Sequence, residues 1–261
     1  MLAAWLALFA AGASAQPRIV SLAPALTESL FDIGAGASVI GTMAFSDRPA
    51  AAREITRIGS HAGLDLERIV ALRPGIVLAW GGGTPARWIE RLQALGMRVE
   101  VVSVHTLEDI ATALITLGHL SGHQERASQL AGTVRRRLAG IGRAGVTLRG
   151  FYQVWPEPLM TLNGRHVISD AMARCGIRNV FADLAALVPH IGAEDVLRSR
   201  PEVIIAARAA QERDDPLAQW RRFDELPAVR DQRLIMLDAD RMARPTLAML
   251  DEVERLCQAV R

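Results

Sequence analysis

Short aliphatic and β-branched runs alternate along this chain with stretches whose apolar positions recur every three or four residues. Arg18 to Leu22 predicts a strand, Ala25 to Ile33 a helix closed by Gly34, and Val39 to Thr42 a second strand. Leu64 to Leu72 predicts a helix, with Asp65 near its start and Pro74 just past its end. Ile76 to Trp80 is apolar throughout, the pattern of a strand buried on both faces of a parallel sheet. Pro85 to Leu95 predicts a helix ended by Gly96, and Arg98 to Val102 another strand. Such βα alternation implies a parallel sheet with helices on its faces.

From Thr106 to Gly142 the strand pattern disappears. Thr106 to Gly118 and His123 to Ile141 predict helices, interrupted at Ser121-Gly122. The second is about 28 Å long at 1.5 Å per residue. Leu148 to Val154 then opens a second βα series, with later strands at Val203 to Ala207 and Leu234 to Leu237, and a final helix from Pro245 to Val260. The two series share a repeat. The segment running from Glu67 through Arg73-Pro74 to Ala79 matches the one running from Glu194 through Arg200-Pro201 to Ala206. Each copy is a helix, an Arg-Pro stop and a buried strand. The expected fold is therefore α/β: two lobes with parallel-type central sheets, joined by a single long backbone helix, with a ligand cleft between the lobes. The expected boundaries are an N-terminal lobe at 16–121, a connecting helix at 122–145 and a C-terminal lobe at 146–261.

Residues 1–15 are expected to be a signal peptide. Leu2 to Ala13 is apolar but too short to span a bilayer, and Ala13-Ser14-Ala15 has the small-x-small form of a cleavage site, although no basic residue precedes the apolar run. The mature chain would begin at Gln16. With no lipobox cysteine, it would be free in the periplasm. Thirty basic residues, all Arg, against 28 acidic ones leave a net charge of +2, which gives no support to nucleic-acid binding. Export also bears on Cys175 and Cys257, the only two cysteines. An oxidising compartment favours a disulfide between them; two buried free thiols are the alternative.

Several stretches carry a resemblance: Arg18-Ile19-Val20-Ser21-Leu22-Ala23-Pro24, Phe45-Ser46-Asp47-Arg48-Pro49, Leu64 to Pro74, Ala79-Trp80 with its glycines, Cys175-Gly176 and Leu256-Cys257. In order along the whole mature chain, they resemble the helical-backbone class of periplasmic substrate-binding proteins that serve ABC importers for vitamin B12, haem and iron-siderophores. The paired cysteines resemble its B12-binding branch, where the matching pair is a disulfide. The resemblance implies capture of a corrinoid, cobalamin or cobinamide, and its delivery by a monomer to a dimeric ABC permease at the inner membrane. It implies no chemistry and no resident cofactor. It also implies that Glu67 and Glu194, already paired by the repeat, dock on permease arginines. Haem or an iron-siderophore is the alternative cargo.

The same resemblance marks a pocket. Family members clamp the corrin between aromatic side chains. Here Trp80, beside Gly81, is kept, Phe45 stands where a Tyr is usual, and His61 and Val188 stand where Trp is usual, Val188 next to Pro189-His190. Asp240-Arg241-Met242-Ala243-Arg244 matches the family's ligand loop in the C-terminal lobe, where Arg244 could hold ring amides or carboxylates. Trp155 and Tyr152 follow the first strand of that lobe and could face the cleft. No metal site of the protein's own is expected, but His61, and less so His190, could serve as an axial ligand to a cobalt or iron carried by the ligand. His119 and His123 are four apart but flank the predicted break, and read as a surface turn. Trp88 and Trp220 read as packing.

An exported α/β enzyme is the remote alternative. Gly81-Gly82-Gly83 follows a buried strand, and Glu100 lies about 20 residues on, as in a dinucleotide site. Ala86, however, stands where the third glycine would fall, and neither G-x-S-x-G nor H-E-x-x-H occurs.

Overall fold

The computed structural model describes residues 16–60, 62–141 and 147–261. The leader expected at 1–15, His61 and the last part of the expected connecting helix lie outside the described residues. The N-terminal lobe runs β1 (Ile19–Ser21), α1 (Pro24–Asp32), β2 (Val39–Thr42), a short hairpin of β3 (Gly59–Ser60) and β4 (Gly63–Leu64), α2 (Leu66–Ala71), β5 (Ile76–Trp80), α3 (Ala86–Ala94) and β6 (Val99–Val102). Two helices follow, α4 (Leu107–Ser121) and α5 (Gln124–Ile141). The C-terminal lobe contains β7 (Leu148–Gln153), the hairpin β8 (Trp155–Pro156) and β9 (Leu159–Met160), α6 (Val167–Arg174), β10 (Ile177–Asn179), α7 (Ala193–Ser199), β11 (Val203–Arg208), α8 (Pro227–Arg230), β12 (Leu234–Asp238), α9 (Ala239–Met242) and α10 (Leu247–Ala259).

Each lobe has a four-stranded, wholly parallel sheet, ordered β2-β1-β5-β6 in one and β10-β7-β11-β12 in the other. The orders correspond strand for strand, so the sequence repeat is a repeat of topology. The apolar run of β5 is explained by burial on both sides. Ile76 and Leu78 pack with Ile19 on one face, while Val77 and Ala79 pack with Val20 and Ile69 on the other.

The repeat extends to the turns. Helices α2 and α7 each end on an arginine in the left-handed region, Arg73 and Arg200, both at φ 45°. Each precedes a proline, which disfavours the helical conformation at that position. In each lobe a second arginine at the start of the first strand reaches the carbonyls that the helix leaves free. Arg18 donates to Leu72 O at 2.6 Å, and Arg149 donates to Ser199 O. Capping by cations at a helix C-terminus also suits the helix dipole.

The sequence reading starts α2 at Leu64, but Leu64 pairs in β4 and Asp65 caps the helix, accepting from Arg68 N–H at 3.0 Å. The break between α4 and α5 lies at Gly122, which sits in the left-handed region at φ 79°. The ring of His123 turns back onto the Ser121 carbonyl at 2.9 Å, so His119 and His123 share no helix face. A capping box of Thr106 and Asp109 starts α4. Gly118 is tolerated inside it because Ala127 of α5 lies where a side chain would point. The inner face of α5, formed by Ala127, Ala131, Val134 and Leu138, belongs to one hydrophobic core that takes in residues of both lobes. Trp220 packs edge-on to Phe151, with centroids 5.6 Å apart, and donates to Gln153 Oε1 at 2.7 Å, so it is a core residue behind the second sheet.

Cys175, at the end of α6, is bonded to Cys257 of α10, and no free cysteine remains. Closing a loop over a separation of 82 residues removes about 4.5 kcal/mol of unfolded-chain entropy at the upper end. Cys257→Ser should therefore destabilise the protein by about 2–4 kcal/mol. Thermal melts should show wild type under dithiothreitol falling to the level of the mutant, which should itself be insensitive to reductant.

Candidate ligand-binding cleft

In a parallel α/β sheet, ligands gather at the carboxyl ends of the strands, where the loops diverge. Both sheets of this protein present those ends to one cleft. β5 ends at Trp80, β7 leads into Val154 and Trp155, and β11 and β12 run out at Ala207 and Ala239, all of which line it. The cleft has two hollows, of about 350 and 450 Å³, that share Trp80, Ala243 and Pro245 as a partition. A further hollow of about 640 Å³ adjoins the first through His105, Arg165 and Leu187. The first is mainly apolar, with Val104, Leu162, Ile168, Leu187 and Val188 around the two tryptophans. Trp155 is 53% exposed and Phe45, at the second hollow, 66%. Aromatic surface left open inside a cleft is ligand surface by the usual criterion. The Trp155 indole N–H is taken by Glu157 O at 2.9 Å, which fixes the ring and leaves its faces free.

Polar groups lie at the ends. Glu28 of α1, 8% exposed, accepts from Arg244 at 3.3 Å and from Thr246 Oγ1 at 2.7 Å, so a buried carboxylate of one lobe is held by two groups of the other. Arg244 also donates to Phe45 O at 3.3 Å. Arg48 meets Asp240 across the cleft at 3.4 Å on a more open path. At the far end the N–H of Leu107, starting α4, donates to Asp170 of α6 at 2.8 Å. Burial, reinforced by the negative charge of Glu28, pushes Asp32 up to about 6. Burial, with the neighbouring charge of His105, pushes His166 down to about 4. Burial also raises the Tyr152 hydroxyl beneath the cleft.

Of the residues predicted to bind ligand, Phe45, Trp80, Trp155, Val188, Asp240, Met242, Ala243 and Arg244 line these hollows. Three others do not. Gly81 is exposed but lies outside both hollows, and its neighbour Gly82 lines the first instead. Arg241 is drawn away because residues 239–242 form a helical turn capped by Asp238. Its guanidinium reaches Asp251 of α10 at 2.6 Å. His190 is exposed beside Phe181, Leu184 and Arg198 in a separate hollow. The glycine run is also no phosphate cradle, since the Gly81 N–H is taken by Val102 O at 2.9 Å and the Gly83 N–H by Trp80 O at 3.2 Å.

The sequence reading missed His105, Arg165, His166 and Glu212, which line the first hollow. The turn signal Asn163-Gly164 ahead of a helical pattern could have placed His166 at a helix start, but nothing in the sequence sets it opposite His105. Glu67 and Glu194 lie in the first turns of α2 and α7, both exposed. A helix that feeds a parallel strand runs back against it, so both carboxylates lie at the carboxyl edge of their sheets.

Residues 19–241 match the model of a family described as periplasmic binding protein. The vitamin B12-binding protein of Vibrio parahaemolyticus is 34% identical over 244 residues, covering 92% of this chain and 88% of that one. The crystal structure of the periplasmic vitamin B12 binding protein BtuF of Vibrio cholerae is similar at a TM-score of 0.86 and 32% identity, covering 94% and 96% of the two chains. A periplasmic heme binding protein from Pseudomonas aeruginosa shares the fold at a TM-score of 0.78 with 23% identity, over 94% and 92%.

The Glu28 contacts make a stability prediction. Arg244→Met leaves a buried carboxylate without its cation and should cost about 3–5 kcal/mol. Arg48→Met breaks a half-exposed pair and should cost within about 1 kcal/mol. Combining Glu28→Gln with Arg244→Met should recover much of the first loss. Urea denaturation of the three variants checks the order.

Proposed function

This chain belongs to the periplasmic binding proteins, and on that premise we propose that it captures a corrinoid, cobalamin or cobinamide, in the periplasm and delivers it to a dimeric ABC permease without chemistry of its own. The observation that carries the reading is the cleft: broad, largely apolar and divided at Trp80, with Trp155 facing it from the other lobe. A flat macrocycle held edge-in needs such opposed aromatic walls, because each ring buries a large area in a defined orientation. The relatives named for vitamin B12 binding, alike over nearly the whole chain, support the same cargo. The haem-binding neighbour, at 23% identity, shares the fold only.

Titration calorimetry should find one corrinoid per chain, with quenching of tryptophan fluorescence. Trp80→Ala should weaken binding by about 1–3 kcal/mol through loss of aromatic contact. Tight binding of haemin with none of cyanocobalamin or dicyanocobinamide would reassign the cargo.

Delivery rests on Glu67 and Glu194. They begin equivalent helices of equivalent lobes, and neither lines the cleft hollows described. A permease with two-fold symmetry can meet both with paired arginines, which bind carboxylates through two donors. Glu67→Ala and Glu194→Ala should leave corrinoid affinity unchanged yet reduce transporter-stimulated ATP hydrolysis. Reversing both charges should reduce it most, and salt should weaken the wild-type complex. Loss of ligand binding with normal docking would place these carboxylates on the wrong surface.

A further inference from the structure

His166 stands where a helix start meets the cleft. Its ring does what an asparagine side chain does at an N-cap: Nδ1 accepts the N–H of Ile168 at 3.2 Å. An imidazole nitrogen that accepts from a backbone N–H carries no proton, so in the neutral ring the proton belongs to Nε2. Burial and the nearby His105 keep the ring neutral at ordinary pH, lowering its pKa to about 4. Among the described residues no acceptor takes Nε2–H, and the ring lines the apolar hollow beside Leu162, Ile168 and Leu187. Nε2 is not a sealed, unsatisfied atom either. It is a free donor in a wall that is largely hydrocarbon, shared with His105, Arg165 and Glu212.

We propose that His166 is a specificity-determining residue whose Nε2–H donates to a carbonyl oxygen on the rim of the bound ligand, and that the helix cap fixes this polarity. The inference rests on the corrinoid reading and sharpens it. The corrin periphery carries amide side chains whose carbonyls accept hydrogen bonds. The same tautomer leaves no lone pair on Nε2 for metal, so the ring orients the ligand's edge and does not ligate its cobalt. A donor fixed in a largely apolar wall discriminates because a rim group without an acceptor would strand it.

Two substitutions separate the donor from the cap. His166→Gln keeps an N–H near the position of Nε2 but is a poor cap. His166→Asn keeps the cap, but its amide stops short of Nε2. Calorimetry with cyanocobalamin should leave the Gln variant within about threefold of wild type and weaken the Asn variant about tenfold. Thermal melts should show the reverse order, Asn near wild type and Gln lowered. Long-range ¹H–¹⁵N spectra of the ligand-free protein should show the Nε2–H tautomer. The inference is overturned if affinity follows the cap instead of the donor, if both variants bind as wild type does, or if the proton is found on Nδ1. A wild-type chain that binds no corrinoid would overturn the corrinoid reading and this inference together. Unaltered binding in both variants would overturn this inference alone.

Discussion

The cleft depends on a carboxylate that cannot be left alone. Glu28 is buried on α1 of the N-terminal lobe, and its hydrogen-bonding partners, Arg244 and Thr246, both belong to the C-terminal lobe. Moving the lobes apart at this point would strand a desolvated charge, which is far more costly than losing a surface ion pair. The contact therefore sets the separation of the two lobes at this end of the cleft. Because Arg244 also holds the Phe45 carbonyl, the same contact positions an exposed aromatic ring at the cleft. The Leu107–Asp170 bond and the shared core along α5 brace the other end. With both ends held, the hollows between them keep their shape, which favours a ligand that fits a preformed space.

Arginine takes a part in this chain that the sequence alone does not display. Arg18 and Arg149 close the ends of the two repeat helices, Arg137 and Arg241 bind α10, and Arg244 joins the lobes. The forked guanidinium meets two acceptors at once, and Arg137 does so with Asp251 at 2.7 Å and Glu254 at 2.9 Å. The near-neutral total conceals this, because pairing is a matter of place and not of count.

Much of the architecture is legible from the sequence because it is written in local periodicity. The apolar run of β5, the break at Gly122 and the matching stretches at Glu67 and Glu194 each act over a few residues, and each reappears as an element or a turn. Strand order follows nearly as well, since a parallel βα series has few ways to wind. Boundaries are harder. Leu64 belongs to β4 and not to α2 because pairing across a hairpin competes with the helix, and pairing is not local.

The binding residues divide along the same line. Trp155 can be chosen from its place just past a strand, and Trp80 and Met242 from the resemblance. Arg241 and Arg244 cannot be told apart there. They lie three residues apart with the same side chain, yet one binds α10 and the other binds α1. His166 and His105 lie on different lobes, and only folding sets them on one hollow. The sequence by itself determined the repeat, the sheets and the paired acidic positions, because those follow from neighbours along the chain. The tertiary structure alone decided which charges are spent inside the protein and which polar groups are left to a ligand, because that depends on partners brought together from distant parts of the chain.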